Sequence, residues 1–90
     1  MKLTDKITIA PQAVARKVGE ELVILDLESG TYFGLDPVGA RIWQLMKEGK
    51  SLAEICEAML EEYEVSREEL ERDALALAQD LEARSLISTE

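Results

Sequence analysis

One stretch of the sequence, residues 22–45, constrains the fold more than any other. Two strand-like runs flank a turn that contains a glycine, and the second run leads directly into a helix. Residues 22–27 and 31–35 are rich in β-branched, aromatic and aliphatic side chains, which is typical of strands. The sequence Glu28-Ser29-Gly30 predicts a three-residue connection with Gly30 in the left-handed conformation. These residues therefore predict an antiparallel hairpin.

The length of the turn determines which residues of the hairpin pair. A three-residue connection places Leu27 opposite Thr31 and Leu25 opposite Phe33. One face of the hairpin then carries Val23, Leu25, Leu27, Phe33 and Leu35, and the other carries Ile24, Asp26, Tyr32 and Gly34. A shift of one residue exchanges the faces of one strand, so this prediction depends on the turn.

Three helices follow the hairpin, and each has a recognisable start. Asp36 and Pro37 suit the cap and first position of a helix that ends at Gly49. The pairs Ser51/Glu54 and Ser66/Glu69 have the spacing of capping boxes. Apolar residues recur at helical spacing after each box. The sequence predicts helices over residues 37–48, 52–63 and 67–84.

The segment before the hairpin predicts one more strand, over residues 13–18, and residues 1–12 read as an extended, partly ordered lead-in. The expected fold class is therefore α+β: a three-stranded antiparallel sheet followed by three helices, similar to a winged helix-turn-helix. Residues 31–35 are expected at the sheet edge, and Leu86 and Ile87 against the core. The whole chain, residues 1–90, is expected to form one domain.

Composition excludes several classes of site. The sequence has no histidine and a single cysteine, Cys56, which falls in the apolar pattern of the second helix. This excludes an intramolecular disulfide and nucleophile pairs that need histidine. No residues suggest a metal site or cofactor, and we expect no intrinsic catalysis. No apolar run is long enough to span a bilayer, and the N-terminus does not resemble a signal peptide. We therefore expect a cytoplasmic protein, and its net charge of −9 also argues against binding to an anionic membrane.

A helix-turn-helix also raises the possibility of DNA binding. The net charge is −9, and residues 50–90 hold four basic against twelve acidic residues. The helix over 67–84 has three arginines and six acidic residues, whereas DNA-reading helices normally present a basic face. Charge therefore argues against a nucleic-acid partner.

Peptide binding is the function that the predicted fold allows most readily. The strand over residues 31–35 offers unpaired backbone groups at an edge, and the third helix lies beside it. Ordinary core packing explains Leu70, Ala74, Leu77 and Leu81 at least as well, and edge strands also occur without ligands. From the residues alone, a small structural subunit remains the alternative.

Residues 25–43, LDLESGTYFGLDPVGARIW, resemble the signature of PqqD-like proteins, in which (Y/F)-x-L-(N/D)-x-x-(G/A)-x-x-(I/L)-W follows a short hairpin. The strand before it and the two later helices also match in length and order. The resemblance implies a precursor-peptide recognition element, which binds the leader segment of a ribosomally made, modified peptide and presents it to a separate enzyme. No cofactor is implied.

The same resemblance implies where the leader lies. It adds a strand beside the third strand of the sheet, against the third helix. The residues implied at the site are Leu25, Leu27, Thr31, Tyr32, Phe33, Gly34, Leu35, Leu70, Asp73, Ala74 and Leu77. The sequence of residues 26–43 is more similar to that of the free-standing subunits of lasso-peptide systems, which work with a cysteine protease. The alternative is PqqD proper, which works with a radical-SAM enzyme on the precursor of a quinone cofactor.

Overall fold

The structure is a computed structural model, and it describes residues 1–89. Strands precede and follow a block of three helices. In chain order the elements are β1 (Ile7–Ile9), β2 (Ala13–Val18), β3 (Glu21–Asp26), β4 (Tyr32–Leu35), α1 (Pro37–Lys47), α2 (Leu52–Leu60), α3 (Arg67–Ala83) and β5 (Ile87–Thr89).

The main sheet is antiparallel, with the strand order β2-β3-β4. It confirms the predicted class, a three-stranded sheet followed by three helices. Strand β4 lies at the edge, and no strand from residues 1–89 pairs with its outer side. Residues Tyr32 and Gly34 are exposed there, whereas Leu35 is buried.

The predicted hairpin register is wrong by one residue. Leu25 pairs with Tyr32, Ile24 with Phe33 and Leu22 with Leu35. This corrects the predicted pairing of Leu25 with Phe33 and the predicted faces, because Val23 and Leu25 share a face with Gly34 and Tyr32 and not with Phe33 and Leu35. The core face of β3 carries Leu22 and Ile24.

The turn explains this shift. The Asp26 N–H donates to the Thr31 carbonyl, so residues 27–30 form a four-residue connection instead of three. The Asp26 carboxylate accepts hydrogen bonds from the Glu28 N–H and the Ser29 hydroxyl. These bonds hold the pKa of Asp26 below its ordinary value and fix the longer turn. Gly30 has a φ of 76°, as predicted.

Each helix start has its predicted N-cap, but the predicted capping box at Ser66 and Glu69 is half formed, because within residues 1–89 only the bond from the Glu69 N–H to Ser66 Oγ is present. Asp36 Oδ1 accepts the Gly39 N–H at 2.8 Å, and Gly49 follows α1 with a φ of 87°. Ser51 and Glu54 form both bonds of a capping box at α2. Helix α2 ends at Leu60, three residues earlier than predicted. The core lies between the sheet and the helices, and its largest fully buried side chains are Trp43, Ile24, Ile42, Met46, Leu52, Ile55, Met59, Leu81 and Cys56.

The N-terminal lead-in contains a strand that sequence patterns did not predict. Strand β1 pairs antiparallel with β5, so that Ile7 lies opposite Thr89 and Ile9 opposite Ile87. Ile7, Leu86 and Ile87 are all buried. This small second sheet therefore ties both ends of the chain to the core.

Candidate functional site

The outer edge of β4 presents backbone groups at alternate residues. The bond between the Asp26 N–H and the Thr31 carbonyl fixes the alternation, because hydrogen-bonded pairs recur every second residue in an antiparallel ladder. The backbone groups of Phe33 and Leu35 therefore point toward β3. Those of Tyr32 and Gly34 point away from the sheet, where another strand can pair with them.

A groove runs along this edge between β4, the start of α1 and the middle of α3. Its volume is about 370 Å³. Apolar side chains from all three elements form its walls, and two carboxylates lie among them. The lining residues are Phe33, Gly34, Leu35, Asp36, Val38, Gly39, Ile42, Asp73 and Leu77.

The close contact between β4 and α1 has a simple cause. A Cβ added at Gly39 would lie 3.3 Å from both Asp36 Oδ1 and Leu35 Cδ2. The glycine thus lets the first turn of α1 approach the end of β4, where Asp36 caps it. Gly34 is different, because a Cβ there would meet nothing within 4 Å. The floor of the groove is tightly packed, and its edge is open.

Charged side chains lie at both ends of the groove. At the end near Leu35, Asp73 faces the groove from α3. At the opposite end, the Arg84 guanidinium lies over the Phe33 ring, 4.5 Å from its centroid, and Arg84 Nε donates to Asp80 Oδ1 at 3.3 Å. Cation–π contact and ion pair together position the Arg84 side chain across the start of β4.

The structure brings together only some of the residues expected at the site. Phe33, Gly34, Leu35, Asp73 and Leu77 line the groove. Tyr32 belongs to the exposed edge strand, but its side chain lies on the same face as that of Leu25, its cross-strand partner. Leu70 lines a smaller adjoining cavity. Thr31 lies just before β4 and Leu27 in the turn, both exposed.

Two expected site residues lie elsewhere. Ala74 is 0% exposed and belongs to the core, so its side chain does not line the groove. Leu25 lies on the other face of the sheet because of the shifted register. Sequence reasoning also missed Val38, Ile42 and Arg84. The spacing of Asp73, Leu77 and Arg84 on one side of α3 is the signal that would have revealed the arginine.

A second cavity, of about 380 Å³, lies beside the other edge strand, β2. Trp43 lines it, and within residues 1–89 the indole Nε1 is buried without a hydrogen-bond partner. The edge itself, however, carries Arg16 and Lys17 in the middle of the strand. Charged residues, lysine above all, are a common means of preventing strand addition at an edge. Strand β4, with the sequence YFGL, has no such charge.

Three further features bear on whether residues 1–89 could hold a catalytic, metal or membrane-spanning site. Burial raises the pKa of the Cys56 thiol, and the side chain is 0% exposed. Among residues 1–89, no group of three or more Cys, Asp and Glu side chains is arranged to hold a metal ion. No helix in the same range is long and apolar enough to cross a bilayer.

Comparison with known proteins decides the family. The model of the family Coenzyme PQQ synthesis protein D (PqqD) matches residues 21–87, which include the hairpin and all three helices. The chain belongs to the PqqD family. This confirms the resemblance seen in residues 25–43. A search of curated protein sequences found no significant match.

Two solved structures show the same fold. The chain is 42% identical to TbiB1 in complex with the TbiA(beta) leader peptide, with a TM-score of 0.85 over 90% of this chain and 94% of that one. It is 30% identical to a lasso peptide synthetase B1 complexed with the leader peptide, with a TM-score of 0.83 over 91% and 96% of the two chains. Both relatives are thus leader-peptide complexes, and both match nearly the whole chain.

Proposed function

We propose that this protein binds the leader segment of a ribosomally made precursor peptide by strand addition to β4. The observation that carries the proposal is the open, uncharged edge of β4 beside an apolar groove of about 370 Å³. The likeness to two leader-peptide complexes, one of them of a lasso peptide synthetase B1, supports it. In this proposal the protein is not a catalyst. It supplies the surface that binds the leader, and a separate enzyme modifies or cleaves the precursor peptide.

Each part of the groove has a distinct role in this binding. The outward N–H and C=O groups of Tyr32 and Gly34 pair with the leader backbone, which supplies affinity with little dependence on sequence. Alternate leader side chains then point toward α3 and pack against Leu35, Ile42 and Leu77. These apolar contacts select the leader, because only side chains of suitable size and polarity fill the groove.

Binding has a cost, because the leader is flexible in its free state. Ordering it into a strand costs conformational entropy, which the backbone bonds and apolar contacts must offset. The benefit is proximity. A leader held on this protein raises the effective concentration of the attached core peptide near a bound enzyme, to about the millimolar range for a short flexible connection.

The partner enzyme is a separate protein in this proposal. One of the two solved relatives is a lasso peptide synthetase subunit, which favours a leader-cleaving cysteine protease acting in the cytoplasm. The second candidate is a radical-SAM enzyme of quinone-cofactor synthesis, and the description of the matching family model favours it. The two candidates share the same leader-binding step and differ in the enzyme that receives the leader.

A titration tests the binding step. The purified protein is added to fluorescein-labelled TbiA(beta) leader peptide, and to a scrambled peptide of the same composition, while fluorescence polarisation is recorded. We expect saturable binding of the leader and at least tenfold weaker binding of the scrambled peptide. Equal binding of both peptides, or of neither, would contradict sequence-selective leader recognition.

A second experiment tests delivery. A precursor carrying the bound leader is incubated with a leader protease of a lasso-peptide system, with and without this protein. We expect cleavage to be faster with the protein present and to be absent with the protein alone. Cleavage by this protein without any enzyme would refute the non-catalytic function.

A further inference from the structure

A small cavity adjoins the groove at the end near Leu35. It has a volume of about 100 Å³ and lies between the start of α1, the segment after α2 and the start of α3. Buried Met59 and Leu70 form its floor, and the more exposed Val38 and Val65 stand at its mouth. Its full lining is Val38, Met59, Tyr63, Val65, Glu69, Leu70 and Asp73.

The cavity is continuous with the groove, because Val38 and Asp73 line both. A peptide strand lying along β4 therefore reaches it with one side chain beyond the paired residues. The apolar floor suits the aliphatic part of that side chain. We call this cavity the Leu70 pocket.

Two carboxylates at the Leu70 pocket lack cationic partners. In residues 1–89 the ion pairs join Arg41 to Glu62, Arg67 to Glu71 and Arg84 to Asp80. Neither Glu69 nor Asp73 takes part in them. No basic residue lines either cavity. Ser66 Oγ accepts the Glu69 N–H, but within residues 1–89 the Glu69 carboxylate does not bond back to the Ser66 N–H, as Glu54 does to Ser51, and it is free for another partner.

An apolar floor with acidic groups at the entrance suits a side chain with a long aliphatic stem and a cationic head. Lysine and arginine have this form, and they commonly bury the stem while the charged head stays near water. We propose that the Leu70 pocket takes a lysine or arginine side chain of the leader peptide. This rests on leader binding along β4 and adds a charge preference to it.

The opposite end of the groove strengthens the preference. The carboxylates near that end already have partners, since Asp80 pairs with Arg84 and Asp26 accepts bonds from Glu28 and Ser29, so a cationic leader side chain is attracted mainly at the Leu70 pocket. One charged residue of the leader thus sets its position along β4, which backbone pairing alone leaves free. The carboxylates act as specificity-determining groups.

A substitution scan of the probe peptide tests this proposal. Each position of the TbiA(beta) leader is replaced in turn by lysine, norleucine or glutamate, and the Kd for the wild-type protein is measured. Norleucine keeps the aliphatic stem of lysine and removes the charge. At one position we expect lysine to bind more tightly than norleucine, and norleucine more tightly than glutamate.

The double variant Glu69→Gln/Asp73→Asn should abolish the difference between lysine and norleucine at that position. Two exposed ion pairs correspond to about a two- to thirtyfold change in Kd. The matched control is Glu57→Gln/Glu68→Gln, which changes the net charge equally at two exposed residues outside both cavities. We expect the control to retain the preference for lysine.

The outcomes separate the two proposals. If norleucine binds as tightly as lysine at every position, the Leu70 pocket has no charge preference, while leader binding along β4 stands. If both double variants lose the preference equally, the effect comes from overall charge, and the pocket assignment is refuted. If no peptide of the scan binds the wild type, leader binding itself is contradicted, and the pocket assignment fails with it.

Discussion

Replacing Gly34 by proline should weaken leader binding while leaving the fold intact. The Gly34 N–H points away from β3, so its loss removes no bond of the β3–β4 ladder. Proline is tolerated on edge strands for this reason. Phe33, which precedes it, already lies in a strand, the conformation that a following proline favours.

The magnitude follows from the hydrogen bond that the leader would lose. A net loss of about 0.5–1.5 kcal/mol is typical, and it rises to about 3 kcal/mol when the partner carbonyl is buried without another donor. This corresponds to about a two- to 150-fold increase in Kd. The proline ring also occupies space on the edge where the leader backbone would lie.

Gly34→Ala is the matched control. It keeps the N–H, and its Cβ meets no atom within 4 Å. Polarisation titrations with labelled TbiA(beta) leader should therefore show weak binding by Gly34→Pro and nearly wild-type binding by Gly34→Ala, with circular dichroism showing both variants folded. Unchanged affinity in a folded Gly34→Pro variant would refute pairing at this residue.

Three further predictions concern the fold that supports the groove. Asp36→Ala removes the cap on the Gly39 N–H and should lower the free energy of unfolding by about 0.5–2 kcal/mol in urea melts, whereas an unchanged midpoint would mean that the cap is unimportant. Burial raises the pKa of Cys56, so its thiol should react with Ellman's reagent only under unfolding conditions, and rapid reaction of the native protein would contradict its burial. Hydrogen bonds from Arg41 hold the pKa of Glu62 in the folded protein below its ordinary value of 4.5. The pair therefore stabilises the fold fully above pH 4.5, and this contribution disappears as the pH falls through the pKa that Glu62 has in the folded protein. Glu62→Gln should therefore lower the free energy of unfolding, measured in urea melts, at neutral pH but not at a pH below the pKa of Glu62 in both the folded and the unfolded protein. An equal loss at the two pH values would refute a stabilising ion pair between Arg41 and Glu62.

Local sequence signals predicted the elements because local interactions create them. The caps at Asp36, Ser51 and Ser66 are each made within three residues, and all of them form. The hairpin register failed for a local reason that residue types do not reveal. Bonds from Ser29 and Glu28 to the Asp26 carboxylate stabilise a four-residue turn in place of a three-residue one.

Other features depend on contacts between distant residues, which a single sequence does not specify. Strands β1 and β5 come from opposite ends of the chain, and each is only three residues long. Arg84 reaches Phe33 only because α3 packs beside β4. Ala74 has the spacing of a groove residue, but it is buried because it lies on the side of α3 that faces the core. The sequence was therefore sufficient to predict that the site combines the edge strand and the third helix. It was not sufficient to predict which side chains line the groove between them.

Amide hydrogen exchange, measured by NMR with and without the TbiA(beta) leader, tests strand addition to β4 most directly. In the free protein the Tyr32 and Gly34 amides should exchange rapidly, while the Phe33 amide is protected by β3. Leader binding should slow exchange at Tyr32 and Gly34 and leave Phe33 nearly unchanged. The outward amides of the other edge strand, at Ala15 and Lys17, are the internal control. Protection of Ala15 and Lys17 on leader binding, with Tyr32 and Gly34 still exchanging rapidly, would place the leader on β2 and contradict the proposed site.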